Sequence, residues 1–165
     1  GGGVSCIVAS DNNINDIKKR LSVQSISQDK MNQLRHFKFF NDVNGIKQHM
    51  KKHATILKPK FDCVIDILNN ELKGKDIASW HNPKGGYFIS LDVMPGCAKR
   101  VGTLCKEAGV VLTTIGATFP YGKDPQDSNI RIAPSYPSID ELSKAAKLLC
   151  VCVQIAAIEC LLNKN

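Results

Sequence analysis

One arginine in a short apolar segment constrains the fold of this chain more than any other feature. Residues 129–133 are rich in isoleucine and predict a β-strand. Side chains alternate between the two faces of a strand, so Ile130 and Ile132 are predicted to be buried against helices. Asn129 and Arg131 then share the opposite face. The face of the sheet that carries Arg131 is therefore expected to be turned to a cleft or to solvent.

A half-buried guanidinium requires an anionic partner, because a desolvated charge without one is unfavourable. Asp124 and Asp127 lie in the preceding loop, among turn-forming residues, and offer no obvious match to Arg131. Two interpretations follow from the strand alone. In one, Arg131 holds the carboxylate of a ligand through two parallel hydrogen bonds. In the other, it forms a structural ion pair with a carboxylate elsewhere in the fold.

The first part of the chain predicts one strand followed by helices. The strand would need neighbouring strands, which we expect in a part of the protein upstream of Gly1. Apolar residues recur every three or four positions through the last of the helices, and Pro59 is expected to kink or divide it. The predicted elements are a strand over residues 4–9 and helices over residues 14–21, 29–40 and 46–72.

From about residue 75 the pattern changes to strands with tight turns, which predicts a small α/β sandwich with a sheet on one side and helices on the other. Ser138 and Glu141 have the spacing of a capping box and predict the start of a long C-terminal helix. The other predicted elements are strands over residues 77–80, 87–91, 110–113 and 129–133, and a helix over residues 96–108.

The charge of the chain argues only weakly for an anionic partner. Lys and Arg number 22 against 15 Asp and Glu, giving a formal charge of +7. These residues are dispersed over several predicted helices and are not interleaved with aromatics, so they favour solvated helix surfaces over a nucleic-acid site. No uninterrupted apolar run reaches the roughly 20 residues that span a bilayer, so no membrane contact is predicted.

The cysteines and histidines offer little evidence of metal chemistry. The seven cysteines lie mostly in apolar, periodic segments and are predicted to be small core residues of a protein in a reducing compartment, the cytoplasm. His49 and His53 are one helical turn apart, but no third ligand accompanies them. Core or surface histidines are therefore favoured, and no metal site is predicted.

Two loops carry aromatic residues beside glycines. Gly85 and Gly86 precede Tyr87 and Phe88, and residues 116–122 combine glycine, proline, phenylalanine and tyrosine. Each loop is interpretable as a simple connection or as the wall of a binding pocket. The residues alone do not decide between these interpretations.

Taken in order, four motifs resemble the C-terminal part of a fold-type-I, pyridoxal-phosphate-dependent aminotransferase of the aspartate-aminotransferase-like (MocR-like) group. The likeness extends upstream and covers essentially the whole chain. The motifs are Asn82-Pro83-Lys84-Gly85-Gly86-Tyr87-Phe88, Ala108-Gly109-Val110, Gly116-Ala117-Thr118-Phe119-Pro120 and Asn129-Ile130-Arg131-Ile132-Ala133-Pro134.

The resemblance implies roles for four residues. Arg131 would bind the α-carboxylate of an amino-acid substrate, Gly86 and Tyr87 would line the substrate side of the cleft, and Phe119 would lie in the loop that closes over it. The cofactor, pyridoxal 5'-phosphate, would be bound mainly by the part of the protein upstream of Gly1. The Schiff-base lysine is expected there too, so no catalytic residue is assigned in this chain.

The resemblance further implies transfer of an amino group between an amino acid, aspartate-like in one interpretation, and a 2-oxo acid, by a full-length homodimer. Residues 1–50 would be the C-terminal remnant of the large cofactor-binding domain, with its last strand and helices. Residues 51–165 would be the small domain with a long linking helix. The chain alone is expected to be inactive. A non-catalytic amino-acid-sensing or partner-binding module on the same fold remains the alternative.

Overall fold

The computed structural model describes residues 3–163; Gly1 and Gly2, at the start of the predicted large-domain remnant, lie outside the described residues. The described part contains helices and one three-stranded sheet, which confirms the predicted α/β class. The elements are α1 (Asp11–Gln24), α2 (Lys30–Phe40), α3 (Val43–Leu72), β1 (Ala78–Trp80), β2 (Ile89–Val93), α4 (Ala98–Glu107), a short 3-10 turn (Pro120–Gly122), β3 (Asn129–Ile132) and α5 (Ile139–Leu162).

The chain divides into two compact units, Gly1–His53 and Ala54–Asn165. This boundary falls inside α3. This helix contains Pro59 and is nevertheless assigned as one element, so the proline does not divide it. Whether the first unit belongs to a larger domain stays a prediction.

Unit 1 (residues 3–53) holds α1, α2 and the start of α3, and none of its described apolar side chains is buried. The starts of α2 and α3 are capped by carboxylates. Asp29 accepts a hydrogen bond from the backbone N–H of Asn32 at 2.9 Å, and Asp42 accepts one from that of Gly45 at 2.8 Å. A Cβ at Gly45 would lie 1.8 Å from the carbonyl oxygen of Phe40, so only glycine fits that bend.

The strand predicted over residues 4–9 is not formed, and this prediction was wrong for the described chain. A strand requires a neighbour for its backbone hydrogen bonds, and the strands found within residues 3–163 all bond to one another in unit 2. Val4, Ile7 and Val8 are consequently exposed.

Unit 2 (residues 54–163) contains the core, which forms behind an antiparallel sheet in the order β1-β2-β3. Ile89 pairs with Ile132, and Leu91 pairs with Ile130, so these four side chains point to the same face. All four are buried. Helices supply the other side of the core, through Val64, Leu68 and Leu72 of α3, Val101 and Cys105 of α4, and Leu149, Val153 and Ala156 of α5.

The strand predicted over residues 110–113 is also absent, although β3 passes close to this segment. The contact is made by a side chain, because the hydroxyl of Thr113 donates a hydrogen bond to the carbonyl oxygen of Arg131. Without backbone pairing the segment adds no fourth strand. The remaining strands form near their predicted positions, with β2 beginning two residues later than expected.

Helix α5 begins with the predicted capping box: the Ser138 hydroxyl accepts from the Glu141 backbone N–H, and the Glu141 carboxylate accepts from the Ser138 N–H. At 24 residues, with a mean hydropathy of 2.0 over an 18-residue window, α5 is long and apolar enough to cross a bilayer by length and composition alone, although it contains no uninterrupted apolar run of that length. Lysines break the apolar run early in the helix. One side of α5 lies in the core, through Leu142, Ala146, Leu149, Cys150, Cys152, Val153, Ala156 and Ala157.

None of the seven cysteines, all of which lie within the described residues, forms a disulfide, and six of them are buried or half-buried, as predicted. Cys6 is exposed, because the strand expected around it does not form. Burial raises the pKa of Cys105 and of Cys150 to about 12, so both thiols stay protonated near neutral pH. They pack as small apolar residues.

Leu68→Ala is expected to lower the free energy of unfolding by about 2–5 kcal/mol, because Leu68 is fully buried at the centre of the core and alanine leaves a cavity. Ile56→Ala, in the same helix at a position 64% exposed, should change it by less than about 0.5 kcal/mol. Urea denaturation followed by circular dichroism measures both. Equal losses would contradict the assignment of the core.

Candidate functional site

The face of the sheet opposite the core is polar and is centred on Arg131. Ser90 of β2 pairs with Arg131, and Asp92 pairs with Asn129, so the four side chains share one face. The prediction that Ile130 and Ile132 are buried while Arg131 faces the other way is confirmed. Arg131 itself is half-buried.

The guanidinium of Arg131 lies over an aromatic ring and has no anionic partner among residues 3–163. Its Cζ is 4.5 Å from the centroid of the Phe88 ring, a cation–π contact. Its Nε is buried and has no hydrogen-bond partner in the described chain. None of the ion pairs formed within residues 3–163 involves Arg131. The structural ion pair that the sequence left open is therefore not found here.

Asn129, two residues before Arg131, is a buried polar residue with every side-chain group engaged. Its Nδ2 donates to Ser90 Oγ at 2.9 Å and to Asp92 Oδ1 at 2.7 Å. Its Oδ1 accepts from the Thr118 hydroxyl at 2.8 Å. Asn129 thus joins β2, β3 and the loop that precedes β3.

The loop from residue 116 to residue 122 closes on itself before it reaches β3. Gly116 has a φ of +85°, and a Cβ there would lie 2.3 Å from the carbonyl oxygen of Gly122. The Thr118–Asn129 hydrogen bond ties this loop to the strand of Arg131. Phe119 follows Thr118 and is half-buried at the entrance of the 3-10 turn. The tie fixes the backbone next to Phe119 relative to that strand.

The glycine-aromatic turn lies at the other end of this face. Gly86 has a φ of +93° and open space around it, and Tyr87 is 56% exposed. Neither is in a described contact with Arg131. The aromatic residue that contacts the guanidinium is Phe88. Phe88 belongs to the glycine-aromatic motif, but the sequence analysis assigned it no role. Continuing the strand alternation of β2 one residue upstream would have placed it on the face of Arg131.

Asp124 stabilises the backbone that leads into β3. Its carboxylate accepts hydrogen bonds from the backbone N–H groups of Asn129, Ser128 and Gln126, at 2.8, 2.8 and 3.0 Å. These donors, that of Asn129 first, lower the pKa of Asp124 below its ordinary value of 3.8. Asp124 therefore does not pair with Arg131; its carboxylate binds backbone N–H groups instead.

The residues at Arg131 fit a carboxylate and do not fit the pyridoxal cofactor as a bound group. The site supplies one planar cation, an aromatic face and a hydroxyl. No lysine within the described residues hydrogen-bonds to Arg131, Phe88, Ser90 or Asn129, so none is placed to attach the cofactor here.

His49 and His53 lie in unit 1, where they contact each other and neighbouring aromatic rings. Nε2 of His53 is 3.0 Å from Nε2 of His49, and the His49 ring meets Phe39 and Phe40 edge-on. Among residues 3–163 no three His, Cys, Asp or Glu side chains lie close enough together to hold a metal ion.

Comparison with known proteins gives a consistent family. The model of the family described as aspartate amino-transferase matches residues 1–165. A candidate aminotransferase of Mycolicibacterium smegmatis is 49% identical over 163 residues, which are 99% of this chain and 38% of that protein. The crystal structure of an aspartate transaminase from Corynebacterium glutamicum is similar with a TM-score of 0.82 and 43% identity, covering 92% of this chain and 36% of that one. The chain therefore spans well under half the length of these relatives.

A shorter match concerns a different class of protein. The HTH-type transcriptional regulator NorG of Staphylococcus aureus is 48% identical over 44 residues, which are 27% of this chain and 10% of the regulator. The narrower likeness to the MocR-like group stays a prediction.

The side chain of Asp124 is expected to titrate with a midpoint below 3.8. Because its folded pKa is lowered, the stability that it contributes is present above its unfolded pKa and is lost as the pH falls through its folded pKa. Asp124→Asn should therefore destabilise the protein near neutral pH and lose this effect in acid. NMR titration of the carboxyl carbon tests the first expectation, and a midpoint at or above 3.8 would contradict it.

Proposed function

The chain belongs to the aspartate amino-transferase family, and we propose that it is the C-terminal part of a pyridoxal-phosphate-dependent aminotransferase in which Arg131 binds the α-carboxylate of the amino-acid substrate. The full-length protein would exchange an amino group between an amino acid, aspartate-like in one version of the proposal, and a 2-oxo acid. The family and the aminotransferases that the chain resembles support this activity.

The observation that carries the assignment is the state of the Arg131 guanidinium. It is half-buried and stacked on Phe88, its Nε has no hydrogen-bond partner, and no carboxylate of the described chain pairs with it. A guanidinium held in one plane can bind a carboxylate through two parallel hydrogen bonds. A substrate carboxylate supplies the charge that the fold leaves out.

Binding at Arg131 would orient the substrate for chemistry that occurs elsewhere. A pyridoxal cofactor bound upstream would supply that chemistry as an electron sink. Arg131 fixes the carboxylate end, and the Phe88 ring restricts the tilt of the guanidinium. We assign Gly86 and Tyr87 to the wall of the cleft and Phe119 to the loop that closes over it, the last because its neighbour Thr118 is bonded to Asn129.

The part of the chain before residue 50 is proposed to complete a larger domain that holds the cofactor and the Schiff-base lysine, both upstream of Gly1. Unit 1 supports this, because most of its large apolar side chains are exposed, none of those described is buried, and further protein would cover them. Residues 51–165 are the proposed small domain with the linking helix. The absence of disulfides among the described cysteines fits the proposed reducing compartment, the cytoplasm. A homodimer is expected for the full-length protein, and light scattering measures it.

Arg131→Ala in the full-length protein is expected to lower kcat/KM for the amino acid by roughly a hundredfold to a thousandfold, because it removes one partner of a desolvated ion pair. The visible absorbance of the bound cofactor should remain, since Arg131 does not hold it. Arg100→Ala is the matched control: Arg100 is an exposed cation paired with Glu159 at 2.7 Å. Equal kcat/KM values for Arg131→Ala and the unaltered protein would refute the assignment.

The isolated 165-residue chain is expected to show no aminotransferase activity and no absorbance of a protein-bound Schiff base when mixed with pyridoxal 5'-phosphate. The physical reason is that the residues at Arg131 offer no lysine for covalent attachment. Absorbance spectra and a coupled assay measure both. Turnover by the isolated chain would overturn the placement of the cofactor site upstream.

A second candidate function is an amino-acid-sensing or partner-binding module without catalysis, which the match to a transcriptional regulator favours. Such a module would keep Arg131 as a carboxylate site and lack the lysine. The two candidates are separated by the full-length protein: a regulator would bind amino acids without transferring their amino group.

A further inference from the structure

Arg131 has two diagonal neighbours on its own face of the sheet, one at each side of Ser90. Asp92 is opposite Asn129, two residues before Arg131. Phe88 precedes Ile89, which is opposite Ile132. Diagonal neighbours in an antiparallel pair are about 7–8 Å apart and within reach of long side chains. Arg131 can therefore turn toward an aromatic ring or toward a carboxylate.

In the structure, the Arg131 side chain lies toward Phe88 and not toward Asp92. Its Cζ lies 4.5 Å from the Phe88 centroid, and it forms no ion pair with Asp92. This is not the arrangement that charge alone would select, because an exposed carboxylate on the same face is the natural partner of an unpaired guanidinium. Asp92 instead accepts a hydrogen bond through its Oδ1 from another residue of this face.

The residue that binds Asp92 is Asn129. The Asn129 amide donates to Asp92 Oδ1 at 2.7 Å and to Ser90 Oγ at 2.9 Å, and its own oxygen accepts from Thr118. Each group of this buried side chain is fixed, so the amide cannot turn away without losing a bond in a poorly solvated place. The hydrogen bond therefore holds Asp92 on the side of Ser90 that is opposite to Phe88 and the Arg131 guanidinium.

We propose that Asn129 is a positioning residue that prevents an internal ion pair: by binding Asp92, it keeps this carboxylate from neutralising Arg131, and the guanidinium stays available to a substrate carboxylate. This inference rests on the proposed function of Arg131. Asp92 is then an internal competitor of the substrate. Releasing it weakens substrate capture without altering the chemistry.

The first test uses the full-length protein with Asn129→Ala, alone and combined with Asp92→Asn. Asn129→Ala frees Asp92 to pair with Arg131, and KM for the amino acid should rise by roughly threefold to tenfold with kcat nearly unchanged, because an ion pair of this exposure stabilises by about 1 kcal/mol. Adding Asp92→Asn removes the competing charge and should restore KM. A merely structural loss at Asn129 would not be restored by a second substitution.

The second test avoids the buried position, since Asn129→Ala removes several hydrogen bonds and could impair folding. Asp92 is exposed, so Asp92→Glu and Asp92→Gln both preserve the core. The glutamate carboxylate extends one methylene farther and can reach past the amide toward Arg131, whereas glutamine has the same length without the charge. KM should rise for Asp92→Glu and not for Asp92→Gln.

The outcomes separate this inference from the function on which it rests. If Arg131→Ala weakens capture but Asp92→Asn fails to restore KM in the Asn129→Ala protein, or Asp92→Glu behaves as Asp92→Gln does, the inference is overturned and the role of Arg131 stands. If Arg131→Ala leaves capture unchanged, the proposed function and the inference both fall. Restoration by Asp92→Asn together with a charge-dependent effect at Asp92 supports the inference.

Discussion

The register between β2 and β3 fixes both sides of the sheet at once. Pairing Ile89 with Ile132 and Leu91 with Ile130 sends four apolar side chains into the core. The same alternation sends Ser90, Asp92, Asn129 and Arg131 to the other face. A shift of one residue would bury Arg131 and expose the isoleucines, which the core excludes. The position of the candidate carboxylate site thus follows from the burial of apolar residues on the opposite side.

The parts of the fold that the sequence predicted are those with a local signal. Periodicity gave α3 and α5, the spacing of Ser138 and Glu141 gave the start of α5, and alternation gave the two faces of β3. The strands predicted over residues 4–9 and 110–113 failed because strand formation depends on a partner, which local sequence does not reveal. Composition alone favoured both.

Only the part of the candidate site that has a local sequence signal was predicted. Arg131 stood out because a cation in an apolar strand is unusual, and the resemblance to a family gave it a ligand. Phe88 and Asn129 were given no role, since their importance arises from the pairing of β2 with β3. A short polar residue beside an arginine gives no signal until the carboxylate that it binds is known.

The closure of the loop at Gly116 limits how this site can diversify. Because a side chain at Gly116 would collide with the carbonyl of Gly122, the separation of the loop ends is set by the backbone. Insertions and deletions between these glycines would break that contact. Relatives with other substrate preferences are therefore expected to differ in the identity of the residues at the loop tip, and engineers who want a new preference should exchange those side chains and keep the loop length.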